Sequence, residues 1–299
     1  MAYRNIIVAN SATLTSKNNQ LIIENDYQNS SIPIEDISCI ILESQHVSIN
    51  SFVLSKLSEF GVALFVCNKE HLPTSVMLPI NSFSRQLKLI NLQYNQTKPF
   101  LKRLWQQIVI AKIENQSRCL EICGINGYKI INNLKSTVQS GDITNVESTA
   151  AAKYFKFLFG KDFKRDDENT INASLNYGYS ILRGVIARNL ATYGFEPSLG
   201  IHHRSELNNF NLADDLIEPF RPVVDLFVAI NVDKDEDFTP DIKHQLFNLL
   251  NVNIISGGEN HSVAYAIERM VQSLSSCYNK TKEELVLPEL VELRLHQYE

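Results

Sequence analysis

Over residues 200–225 the chain sets His202 and His203 side by side, followed by Asp214, Asp215 and Glu218, with Arg221 close behind. Asp215 and Glu218 are three residues apart and Asp214 and Glu218 four apart, so a helix from residue 212 onward would stack these carboxylates on one face. Like charges there destabilise a bare helix. A divalent cation reverses the sign, because carboxylate oxygens and a neutral imidazole are ordinary ligands for Mg2+ or Mn2+. Pro219 and Pro222 lack the amide donors that would serve the carbonyls of Asp215 and Glu218. The competing reading is a solvated acidic helix start, with Asn211 as N-cap and Asp214 facing the helix dipole.

A further carboxylate, Glu147, opens an apolar-periodic run over residues 142–160. Thr144 and Glu147 have the spacing of a capping box, in which the Glu side chain folds back onto the N-cap amide. A ligand would instead point away from its helix toward its partners, and spacing leaves both directions open. Ala150, Ala151 and Ala152 offer little bulk and would let another backbone or a substrate strand approach.

The elements that must position these groups are legible from periodicity. Residues 4–80 carry apolar or alternating runs at 5–9, 20–24, 38–42, 62–66 and 75–79, which predicts a compact antiparallel β domain. Within it, Asn50 as N-cap, Phe52, Leu54 and Leu57 at helical spacing and Gly61 as stop predict one short helix. From residue 82 the period becomes helical. Leu101, Leu104, Trp105, Ile108 and Ile113 mark a long helix after Thr97 and Pro99. Leu175, Tyr179, Leu182, Val185, Ile186 and Leu190 mark another, stopped at Gly194, which delivers the histidines to the acidic segment. Residues 241–278 also read as helical. The fold class expected is therefore α+β, with an N-terminal antiparallel β domain over residues 1–80 and a larger all-helical C-terminal domain over 81–299.

A net charge of −5 with 44% hydrophobic and 20% charged residues argues against a protein that coats nucleic acid non-specifically. The charge is unevenly placed. Residues 71–113 contain no Asp or Glu but carry Arg85, Lys88, Lys98, Lys102, Arg103 and Lys112, among Tyr94, Phe100 and Trp105. Residues 206–299 hold 17 acids against 7 Lys and Arg. The first stretch suits phosphate contacts with some stacking, and a solvated helix face with its aromatics in the core accounts for it equally well. Five cysteines without Cys-x-x-Cys spacing read as free, mostly buried thiols. Without a signal-peptide pattern or a long apolar run, a cytoplasmic protein that does not enter a membrane is expected.

Four segments follow one another in a recognisable order. They are Val146-Glu147-Ser148 with Ala151 and Tyr154-Phe155; Leu175-Asn176-Tyr177-Gly178-Tyr179; Leu199-Gly200-Ile201-His202-His203; and Asp214-Asp215-Leu216-Ile217-Glu218-Pro219-Phe220-Arg221-Pro222. In order and spacing they resemble the CRISPR-associated integrase family Cas1, most of all its members from type II systems, over essentially the whole chain. The resemblance implies an N-terminal β domain that forms a homodimer, a helical domain that holds one Mg2+ or Mn2+ ion, and assembly with the small partner Cas2. It implies Glu147, His203 and Glu218 as catalytic metal ligands. His203 is preferred over His202 because the family histidine stands three residues after the glycine, here Gly200. Asp215 and His202 lie at further positions near the metal.

The implied chemistry is insertion of spacer DNA into a CRISPR array, in which a 3′-hydroxyl attacks a phosphodiester of the repeat. Water in place of that hydroxyl would give endonuclease activity. Arg85, Lys88, Lys102 and Arg103 are the expected contacts to double-stranded DNA. Two other classes account for part of the pattern: a non-catalytic DNA-binding scaffold would need only the basic stretch, and a metallohydrolase of small substrates only the ligand triad.

Overall fold

The computed structural model describes residues 4–25, 29–69, 73–79, 85–234 and 237–297. Its N-terminal part contains two four-stranded sheets. One has β1 (Arg4–Val8), β5 (Ile37–Leu42), β7 (Ala63–Cys67) and β8 (Pro73–Met77) in that order; the other runs β4 (Asn29–Pro33), β3 (Gln20–Glu24), β2 (Ala12–Lys17), β6 (Val47–Ile49).

The expectation of an antiparallel domain fails here. β1 pairs with β5, β5 with β7, and β2 with β6 in parallel; β7–β8, β2–β3 and β3–β4 are antiparallel. The parallel β5–β7 pair is made possible by the intervening helix α1 (Ser51–Glu59), since parallel neighbours need a crossover. The helix is capped as its sequence predicts, with Asn50 Oδ1 accepting from Val53 N at 2.9 Å. All six residues of β5 are buried, the mark of a strand covered on both faces. Cys39 and Ile41 on one face join the helical core, while Ile37, Ile40 and Leu42 on the other join the core shared with the second sheet and α1.

The helical part begins with α2 (Gln86–Tyr94), and the expected boundary at residue 80 lies outside the described residues. There follow α3 (Lys98–Ile122), α4 (Tyr128–Leu134), α5 (Val146–Phe159), α6 (Thr170–Thr192), α7 (Asn211–Leu216), α8 (Arg221–Asn231), α9 (Pro240–Asn248) and α10 (Val263–Tyr278). Phe65 of β7 lies against α6 where Gly184 has no side chain; a Cβ there would meet the Phe65 ring at 1.9 Å. One apolar cluster thus runs from the first sheet through the helices.

The C-terminal part is not all helical, nor is 241–278 one helix. Between α9 and α10 the chain forms a hairpin of β9 (Asn253–Ser256) and β10 (Glu259–Ser262), to which β11 (Pro288–Glu289) adds beside β9. Gly257 and Gly258, at φ +63° and +80°, make the turn that breaks the helical run. No helix among the described residues is long and apolar enough to cross a membrane.

Candidate metal centre

The histidine loop is built by Asp215. This fully buried carboxylate on α7 accepts from the amides of Ile201 (2.6 Å) and His202 (2.9 Å) through Oδ2, and from His203 N (3.1 Å) through Oδ1. The same Oδ1 takes the ring Nδ1 of His203 at 2.7 Å. That bond outweighs burial and raises the His203 pKa above the ordinary imidazole value. With Nδ1 engaged, Nε2 is the ring nitrogen left for a ligand. Gly200 is needed for space, as a Cβ there would meet His203 O at 2.3 Å and Asp215 Oδ2 at 2.9 Å.

Asn211 is not an N-cap. It lies inside α7, and its amide bonds the carbonyls of Ser198 (3.1 Å) and Ser205 (2.9 Å), clamping both ends of the loop. The shared acidic face also fails. The helix stops at Leu216 and a 3-10 turn follows over Glu218–Phe220, so the three carboxylates diverge. Asp214 turns to α6, where Arg183 Nε lies 2.7 Å from Oδ1.

Glu147 does not fold back onto its helix start. Asp142 caps α5, its two oxygens accepting from Val146 N and Glu147 N at 2.9 Å each. The Glu147 side chain is thereby released to reach Lys112 of α3, whose ammonium also pairs with Glu218. Lys112 is buried; desolvation works against its charge, but Glu218 and Glu147 raise its pKa. Burial would raise the Glu218 carboxyl, yet Arg221 and Lys112 outweigh it and hold it at about 2. The Arg221 Nε–Glu218 Oε1 distance is 2.9 Å, and the guanidinium lies 4.4 Å from the Tyr179 ring centre.

Two buried polar ties fix the helices that carry these groups. Asn115 of α3 donates to Pro219 O (2.8 Å) and Pro288 O (2.9 Å), which holds α3 against the Glu218 turn. Asp225 of α8 accepts from Tyr154 of α5 at 3.0 Å and from Tyr179 of α6. Burial, opposed by the two hydroxyls, pushes this carboxyl up to about 6.

Of the predicted site residues, Glu147 and Glu218 meet at one cationic point. His203 lies close enough to Glu218 for that carboxylate to raise its pKa. His202 is stacked on Trp105 with ring centres 4.2 Å apart and planes at 4°. Trp105 meets the His203 ring edge-on at 5.9 Å. Among the described residues no three His, Cys, Asp or Glu side chains stand as a ready cage for a metal ion; between Glu147 and Glu218 stands the Lys112 ammonium. The donor types still suit a divalent cation, because two carboxylates already share one positive charge and Asp215 engages the His203 Nδ1, which leaves Nε2 as that ring's donor.

Arg85, Lys88, Lys102 and Arg103 are exposed, as a phosphate-binding stretch requires, whereas Lys112 from the same run turns inward. Sequence reasoning missed the site roles of Lys112 and Asp142. The only available signal was the seven-residue spacing from Trp105 to Lys112, which puts both on one face of α3.

The family described as CRISPR associated protein Cas1 matches residues 6–248 of this chain. The chain belongs to the Cas1 family. It is 41% identical to the CRISPR-associated endonuclease Cas1 of Neisseria meningitidis serogroup C (strain 8013), covering all of both chains. A Cas1 endonuclease of Francisella tularensis subsp. novicida (strain U112) is 26% identical, over 86% of this chain and 89% of that one. Among solved structures, a casposase bound to integration product superposes with a TM-score of 0.74 at 21% identity, over 95% of this chain and 92% of that one. A CAS1 protein from Thermotoga maritima gives 0.72 at 19% identity, covering 92% and 97%. These two share the fold seen here.

Proposed function

We propose that this Cas1-family protein is a divalent-metal-dependent DNA endonuclease and integrase that inserts spacer DNA into a CRISPR array. The observation that carries the reading is the meeting of Glu147 and Glu218 on one cationic point beside His203, whose ring is set by Asp215. Glu147, His203 and Glu218 would hold a Mg2+ or Mn2+ ion. When bound, the ion lowers the pKa of the attacking oxygen and offsets charge on the phosphoryl group. Arg221 keeps Glu218 ionised, and Asp215 keeps the His203 Nε2 open as a donor. The attacking oxygen is the 3′-hydroxyl of the spacer for joining, or water for cleavage, with the alkoxide leaving in line. Arg85, Lys88, Lys102 and Arg103 bind the duplex backbone.

The Neisseria relative is named an endonuclease, which supports catalysis over a purely scaffolding role. The exposed basic stretch supports DNA over a small substrate. A chain of a Cas6-RT-Cas1--Cas2 complex superposes with a TM-score of 0.71 at 18% identity, over 96% of this chain and 36% of that one. By analogy we assign Cas2 as a partner; a homodimer through residues 1–80 and a cytoplasmic location are further parts of the proposal. The test is strand joining between a spacer duplex and a repeat duplex, with Mn2+, with Mg2+ and with chelator. Joined product only with metal is expected. Joining undiminished by chelator would sink the metal reading, and DNA binding without joining or cleavage would favour the scaffold.

A further inference from the structure

Lys112 reaches the carboxylates from the protein side. It is 6% exposed, on the middle of α3, and its single ammonium pairs with Glu147 Oε1 and Glu218 Oε2. The other Glu218 oxygen belongs to Arg221. Of the two Glu218 oxygens, the one that Arg221 leaves is therefore the one that Lys112 already holds. An ion bridging Glu147 and Glu218 needs that Glu218 oxygen, and a doubly charged cation and an ammonium that share one carboxylate oxygen repel each other.

Resting on the metal reading above, we infer that Lys112 is an internal counter-ion that a divalent cation must displace. In the metal-free protein it neutralises two carboxylates that would otherwise repel each other, and so keeps α5 and the Glu218 turn together. On loading, the cation takes over that task and the ammonium is expelled. Its way out is past Glu147, whose side chain is 23% exposed against 9% for Glu218. This is the open side of the site, where a DNA phosphate would lie, and a lysine stem has the torsional freedom to reach it while staying anchored on α3. Metal loading would thus convert a carboxylate-bound cation into one facing the substrate, so that metal and DNA each favour binding of the other. Lys112 acts as a positioning residue.

Mn2+ titration of the full-length protein without DNA, followed calorimetrically, tests this. Lys112→Met removes the competitor while keeping the stem's bulk, so the Kd for Mn2+ is expected to fall about ten-fold; a merely structural lysine would leave it unchanged or raise it. In parallel, acetylation of Lys112 in the unaltered protein, read by mass spectrometry against the exposed Lys102, should rise several-fold when Mn2+ is added. This second measurement decides if Lys112→Met fails to fold. Saturable Mn2+ binding that is no tighter in folded Lys112→Met, or Lys112 labelling that Mn2+ leaves unchanged, would overturn the displacement alone. Absence of saturable Mn2+ binding to the unaltered protein would overturn the metal reading and the displacement with it.

Discussion

Asp215 holds His203 twice, by its backbone amide at 3.1 Å and by its ring Nδ1 at 2.7 Å, while the same carboxylate anchors Ile201 and His202. Asp215→Asn leaves one strong acceptor for three amides and a ring. Removing a partner that orients a ligand costs about 10–100-fold in metal affinity. The apparent Mn2+ affinity of Asp215→Asn should fall by that order, and an unchanged Kd would show that the ring needs no such support.

The two histidines separate cleanly. His203→Ala should abolish metal-dependent cleavage and joining while leaving duplex affinity nearly intact. His202→Ala loses a stack on Trp105 and should be mild. The reverse pattern would mean that the other ring is the ligand. Because Asp215 raises the His203 pKa, protons compete with metal at a higher pH than for a free imidazole. Activity should decline on acidification beginning above ~6.5, and more Mn2+ should move that limb to lower pH. A limb indifferent to Mn2+ concentration would remove His203 from the site.

Glu218 and Glu147 should differ in stability more than in activity. Glu218→Gln leaves Arg221 and Lys112 short of a buried partner and is expected to cost about 3–5 kcal/mol in urea unfolding at pH 7. Glu147→Gln, at a part-exposed position, should cost under about 1 kcal/mol. Both should lose cleavage. With the Glu218 pKa depressed from 4.5 to about 2, its contribution is complete above 4.5 and lost as pH falls toward 2. Equal destabilisation by the two substitutions would contradict the burial difference.

Reversing the charge of Arg85, Lys88, Lys102 and Arg103 together should weaken duplex binding regardless of sequence. Each lost phosphate contact lowers the slope of log K against log salt by about 0.9. Folding should be unaffected, since all four side chains are exposed. A slope equal to that of the unaltered protein would return the stretch to a solvated face.

Periodicity and punctuation were enough to read much of the local structure. Asn50 and Gly61 bound α1, Gly194 stops the helix before the histidine loop, and β3 runs over residues 20–24 as its alternation predicts. The ligand candidates, Glu147, His203 and Glu218, were legible through motif order. Strand direction was not, because whether Ile40 sits beside Ile6 in parallel or antiparallel pairing depends on a crossover that no local pattern encodes. Nor could spacing say whether Glu147 folds back as a cap. That was decided by Asp142, which takes the helix-start amides at positive φ and leaves the glutamate to pair with Lys112. The turn of Lys112 from the basic run into the site has the same character. A lysine's sequence neighbours leave open whether it meets solvent or two carboxylates drawn from helices 35 residues and more away; packing of α3 against α5 and the Glu218 turn settles it.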